Sequence, residues 1–147
     1  MKLTSQSFRH GGTIPGRCAF AVPDPRTHVR LSDNRNPELA WTDVPAGTRS
    51  FALLCIDSDC PTVGDDVNQE GRSVKKTLAR AEFMHWAMVD IPASVASIAE
   101  GACSEGVTAH GKQDPRGPAG SRQGMNDYTG WFAADKNMAG TYLGYDG

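Results

Sequence analysis

Two carboxylates and one histidine are the residues of this chain best placed to do chemistry. Asp57 and Asp59 close the apolar run of "SFALLCIDSDCPT", residues 50–62. Residues two apart on a strand point the same way, so a continuing strand would aim both carboxylates to one side. Like charges that close raise one another's proton affinity or demand a counter-charge. His85 stands within a second apolar run, "FMHWAMVDIP", residues 83–92. A histidine near two carboxylates forms a small polar site whose charge changes close to neutral pH. Taken singly, each has an ordinary reading: His85 as a satisfied core histidine, the carboxylates as a turn or cap.

The elements that must position these groups are short and β-like. Leu39–Val44, Phe51–Asp57 and Phe83–Ile91 read as strands. Segment 51–57 is apolar at every position before Asp57, which predicts a central strand covered on both faces. In segment 83–91, alternation sets Trp86 and Met88 against His85, Ala87 and Val89, and Pro92 ends the ladder. Helical signals are weak, with single short turns expected at 73–81 and 94–99. Long amphipathic helices between strands are missing, which argues against a doubly wound α/β fold. Many short strands punctuated by Gly and Pro favour an antiparallel sandwich. Residues 62–72 and 104–130 read as long loops of the kind that carry function.

Composition sets the class. The chain has 147 residues, 39% hydrophobic and 22% charged, with a formal net charge of −2. This length suits one domain burying roughly two-thirds of its unfolded surface. The charge balance gives no reason to expect nucleic acid or an anionic membrane as partner. No apolar leader follows Met1, and the apolar run 51–56 is too short to span a bilayer, so a cytoplasmic protein without a transmembrane segment is expected. Cys18, Cys55, Cys60 and Cys103 have no paired spacing and read as free thiols. Cys55 and Cys60 with His85 or His110 match no usual zinc spacing, and no metal or cofactor is expected.

The ordered motifs carry a resemblance. "DSDCP" resembles the Asp-x-Asp-x-Pro motif of phosphatidylethanolamine-binding proteins, the Raf-kinase-inhibitor-like family. "FMHWAMVDIP" is similar to that family's second motif, a His-aromatic pair on a strand closing in Asn/Asp-Ile-Pro. "NPELAWTDVPAGTRSFAL", 36–53, and "QGMNDYTGW", 123–131, look like its bacterial branch. "LGYDG", 143–147, matches the start of a third motif.

The resemblance implies a mainly antiparallel β-sandwich with a few short peripheral helices. It implies an anion pocket at Asp57, Asp59, Pro61 and His85, bordered by Tyr145 and Gly147. The implied ligand is a small anion or phosphorylated head group, bound without catalysis. A kinase or protease would be the regulated partner, and a homodimer is open. The family pattern continues past this point with prolines and a strand bearing His-x-Tyr, so one domain over 1–147 lacking its C-terminal part is expected.

The residues leave other chemistries to weigh. A phosphoesterase-like hydrolase using Asp57, Asp59 and His85 is the alternative function. An Asp-x-Asp phosphatase of the haloacid-dehalogenase type wants Thr or Val at Pro61 and an α/β layout. The Gly-x-Ser-x-Gly elbow of a serine hydrolase is absent.

Overall fold

The computed structural model describes every residue from Met1 to Gly147. Eight strands form three antiparallel sheets. The strands are β1 (Lys2–Thr4), β2 (Ala21–Asp24), β3 (His28–Leu31), β4 (Leu39–Thr42), β5 (Ser50–Pro61), β6 (Arg80–Pro92), β7 (Ser97–Ile98) and β8 (Arg122–Gln123). Their orders are β1-β4-β7, β2-β3 and β5-β6-β8. Helix is confined to a 3-10 turn at Gly16–Cys18 and one turn, α1, at Tyr128–Trp131. The fold is an antiparallel β-sandwich, as the sequence pattern indicates. No helix is long and apolar enough to cross a membrane.

The core lies between the two three-stranded sheets. Trp41 of β4 and Ile98 of β7 meet Trp86, Met88 and Ile91 of β6, with Cys103 and Tyr145 completing the cluster. Trp41 packs edge-on to Phe51 at 5.4 Å between ring centroids. Each such ring removes a large apolar area from water, at roughly 25 cal/mol per Å².

Several expectations are corrected here. β5 and β6 run further than the apolar pattern alone suggests, because the polar ends Asp57–Pro61 and Arg80–Glu82 still pair. β4 stops at Thr42, and Asp43 then takes a left-handed φ of 53° that breaks the strand. No helix forms at 73–81 or 94–99; the first ends in β6 and the second contains β7. β5 is not covered on both faces. Phe51, Leu53 and Cys55 are half-buried, whereas Leu54 remains 58% and Ile56 42% exposed. An apolar pattern registers side-chain type, and coverage of the second face depends on what else packs there.

A shift of register near His85 matters most for the site. Cys55 pairs Trp86, but the next residue, Ile56, pairs Met84, leaving His85 as an extra residue on β6. This β-bulge interrupts the alternation that would set His85 opposite Trp86. Both residues instead meet the C-terminal segment: Trp86 packs on Tyr145, and His85 hydrogen-bonds Asp146.

Candidate functional site

His85 is held by its bulge and by the segment 142–147. Its Nδ1 lies 2.7 Å from the Asp146 carbonyl oxygen. A carbonyl only accepts, so Nδ1 carries the proton, and Nε2 is the nitrogen left for other partners. The Asp146 N–H donates back to the His85 carbonyl at 3.1 Å. Aromatic rings wall the imidazole: Phe83 at 4.9 Å and Tyr128 at 5.8 Å between centroids. Tyr128 is stacked on Phe20 at 4.5 Å and donates its hydroxyl to the Gly147 carbonyl at 2.8 Å. Burial pushes that hydroxyl's pKa well above the usual tyrosine value, and the charges of Asp146, Cys60 and Asp57 add to the shift.

Asp57 reaches the same neighbourhood from β5, where it pairs with Phe83 across the ladder. Its Oδ1 accepts the Asp59 N–H at 2.8 Å. This bond spans a second bulge, between Asp57 and Cys60, which breaks the simple alternation expected to align Asp57 with Asp59. The Asp59 side chain is 84% exposed and stands 3.8 Å from Arg80 Nε. Pro61 closes the strand opposite Arg80. Between them, burial and then Asp57 raise the Cys60 thiol's pKa, with Arg80 opposing.

The other two residues have tighter surroundings than a pocket rim. Tyr145 is a core residue, 3% exposed, whose hydroxyl donates to the Cys18 carbonyl at 2.7 Å. Burial pushes its pKa far above the usual range. Gly147 donates its N–H to Asn34 Oδ1 at 2.9 Å and accepts from the Phe20 N–H at 2.8 Å. A Cβ here would lie 1.8 Å from the Cys18 carbonyl oxygen, so only glycine lets the two backbones meet. The structure thus gathers His85, Tyr128 and Gly147, with Asp57 beside Phe83; Asp59 turns to Arg80 and Tyr145 to the core. Two clefts, of about 210 and 250 Å³, lie elsewhere. One is lined by apolar residues including Leu3, Trp41 and Phe51, the other by Gly64, Val67, Asn68 and Trp131.

Four residues that build the site escape the sequence reading: Asn34, Lys112, Asn126 and Asp146. Asp146 accepts from Lys112 Nζ at 2.5 Å, Asn34 Nδ2 at 2.7 Å and Asn126 Nδ2 at 2.9 Å. Asn34, Asn126 and Asp146 are each 0–1% exposed. The available signal was an acidic residue set between Tyr145 and Gly147 in a segment otherwise without charge. Its partners are far apart in sequence and nothing local announces them.

The family model described as phosphatidylethanolamine-binding protein matches residues 4–147. The chain belongs to this family. Among its relatives, the UPF0098 protein YbhB of Escherichia coli is 34% identical over 101 residues, 69% of this chain and 50% of YbhB. A UPF0098 protein of Aquifex aeolicus is 26% identical over 130 residues, 87% of this chain and 53% of its own length. The chain spans about half the length of these curated relatives. The crystal structure of E. coli YbcL, described as a new member of the mammalian PEBP family, superposes with a TM-score of 0.61 at 26% identity. That match covers 99% of this chain and 64% of YbcL.

Proposed function

We propose that this chain is a non-enzymatic module that binds a small oxyanion or phosphorylated head group at His85 and Asp57. The observation that carries the reading is the commitment of His85 Nδ1 to the Asp146 carbonyl. It leaves Nε2 as the ring nitrogen for a ligand, beside the Tyr128 ring and the Asp57 strand end. Protonated, Nε2–H donates a charge-assisted hydrogen bond to a phosphate oxygen.

The nearby charges support this division of labour. Lys112 is spent on Asp146, and Arg80 stands beside Asp59. The imidazolium is therefore the cation left to an anion at this end of β5. Asp57 accepts only one backbone N–H and can take an ammonium or hydroxyl of the same ligand. A Raf-kinase-inhibitor-like role, with a kinase or protease met by the surrounding loops, is the regulatory extension of the same proposal.

Calorimetric titration with inorganic phosphate tests it, at about pH 5.5 and about pH 8, on wild type and His85→Ala. Binding should be tighter at the lower pH, where the imidazolium gains a donor. His85→Ala should weaken it by about tenfold or more, the loss of one charge-assisted bond. Equal affinity in all four titrations, or no binding at all, rejects the reading. Turnover of a chromogenic phosphate ester that vanishes in Asp57→Asn would favour a hydrolase instead.

A further inference from the structure

Asp146 holds with its side chain and is held onto by its backbone. The carboxylate, 1% exposed, is gripped by Lys112, Asn34 and Asn126. The main chain of the same residue makes the two hydrogen bonds with His85. A buried ion pair is weak evidence for stability, because desolvating both charges offsets much of their attraction. What this one specifies is therefore the better question.

Lys112 is brought to Asp146 by a close crossing of two segments. Gly111, at φ 80°, lies against Thr141, and Gly140 lies against His110. His110 Nδ1 bonds the Ala139 carbonyl at 2.8 Å, and Gln113 Nε2 donates to the Thr141 carbonyl at 3.1 Å. The Lys112 side chain is only 13% exposed there. Asn34 and Asn126 donate to the two different oxygens of the carboxylate, Oδ1 and Oδ2. The cation adds the stronger, charge-assisted bond.

We propose that Lys112 and Asp146 are positioning residues for His85: their ion pair fixes the Asp146 carbonyl as acceptor of the Nδ1 proton and so keeps Nε2 as the nitrogen offered to a ligand. A neutral imidazole has two tautomers, and the bond at one nitrogen decides which is present. Moving the carbonyl by about an ångström stretches a 2.7 Å contact beyond hydrogen-bond range and lets the tautomers mix. The consequence for ligand binding rests on His85 being the anion-binding residue proposed above. The tautomer itself does not.

The test reads the ring nitrogens of His85 by ¹⁵N NMR in the ligand-free 147-residue chain at alkaline pH. Wild type, Lys112→Met, Lys112→Arg and Asp146→Asn are compared, each with inorganic phosphate then titrated at acid pH. Wild type should show the Nδ1–H form. Lys112→Met should show a substantial share of Nε2–H at alkaline pH; in the imidazolium form the ring then lacks the carbonyl that aims Nε2–H, and phosphate should bind about fivefold more weakly, the worth of about one neutral hydrogen bond. Lys112→Arg should restore both. Should Asp146→Asn fail to fold, Lys112→Met decides, since Asn34 and Asn126 still donate to the Asp146 carboxylate there. A wild-type ring in the Nε2–H form, or a folded Lys112→Met that keeps pure Nδ1–H, overturns the proposal. Wild type with the Nδ1–H form but no phosphate affinity would sink the functional reading and leave the positioning role intact.

Discussion

Asp57 and Asp59, near the end of β5, are exposed, whereas Asp146, on the segment that bonds His85, is buried among three donors. The difference separates two uses of a carboxylate. One left in water keeps its hydration, contributes little to stability and stays available to a ligand. One taken out of water must be bonded on every side, and then its partners depend on it. By this comparison Asp57 is left available for the recognition proposed above, and Asp146 serves architecture.

The largest expected effect breaks the comparison if it fails. Asp146→Ala leaves Lys112 without its acceptor, takes one of two acceptors from Asn34 and from Asn126, and should cost about 3–5 kcal/mol. Asp59→Ala should change stability by less than about 0.5 kcal/mol. Urea unfolding of both variants reads the difference, and similar midpoints would show that burial does not distinguish them.

A smaller effect probes how Lys112 reaches Asp146. In Gly111→Ala the new Cβ would stand 2.1 Å from the Thr141 carbonyl oxygen, at a left-handed φ. Strain and overpacking together should cost about 2–3 kcal/mol. The His85 ring signals should shift in the same variant, because the Lys112 segment must move. Loss of stability with unmoved ring signals would uncouple that segment from the site.

Much of this architecture is legible in the sequence, and the reasons it stops are physical. The apolar parts of β5 and β6 follow from their runs, and the end of β6 from Pro92, since type and period are local properties. The bulges at His85 and after Asp57 are not local. They depend on register against a partner strand, and each re-aims a side chain the site uses. Asn34, Lys112 and Asn126 are separated from Asp146 by 112, 34 and 20 positions, so no spacing rule joins them. The exposed face of Leu54 and Ile56 went unforeseen because an apolar run reads the same whether one face is covered or two.

A surface ion pair gives the smallest effect and a control. Glu100 accepts two bonds from Arg17, at 2.7 and 3.0 Å, and one from Ser7 Oγ at 2.6 Å. The Arg17 guanidinium, then Ser7, hold its pKa down from an ordinary 4.5 to about 2. A carboxyl lowered on folding stabilises above its unfolded value and loses that contribution as pH falls towards the folded one. Glu100→Gln should therefore lower stability at neutral pH by about 1 kcal/mol or less, and match wild type near pH 2. A constant offset across that range would mean the charge is not what matters.

The claim that His85 is the recognition cation is tested most directly by the phosphate dependence of the melting temperature at about pH 5.5. A ligand that binds only the folded state stabilises it by RT ln(1 + L/Kd), where L is its free concentration, so the melt rises as ligand is added. Wild type and Asp59→Asn should both rise with added phosphate, and His85→Ala should stay flat against a sulfate-free, ionic-strength-matched control. A rise of equal size in His85→Ala, or none in wild type, would contradict the account.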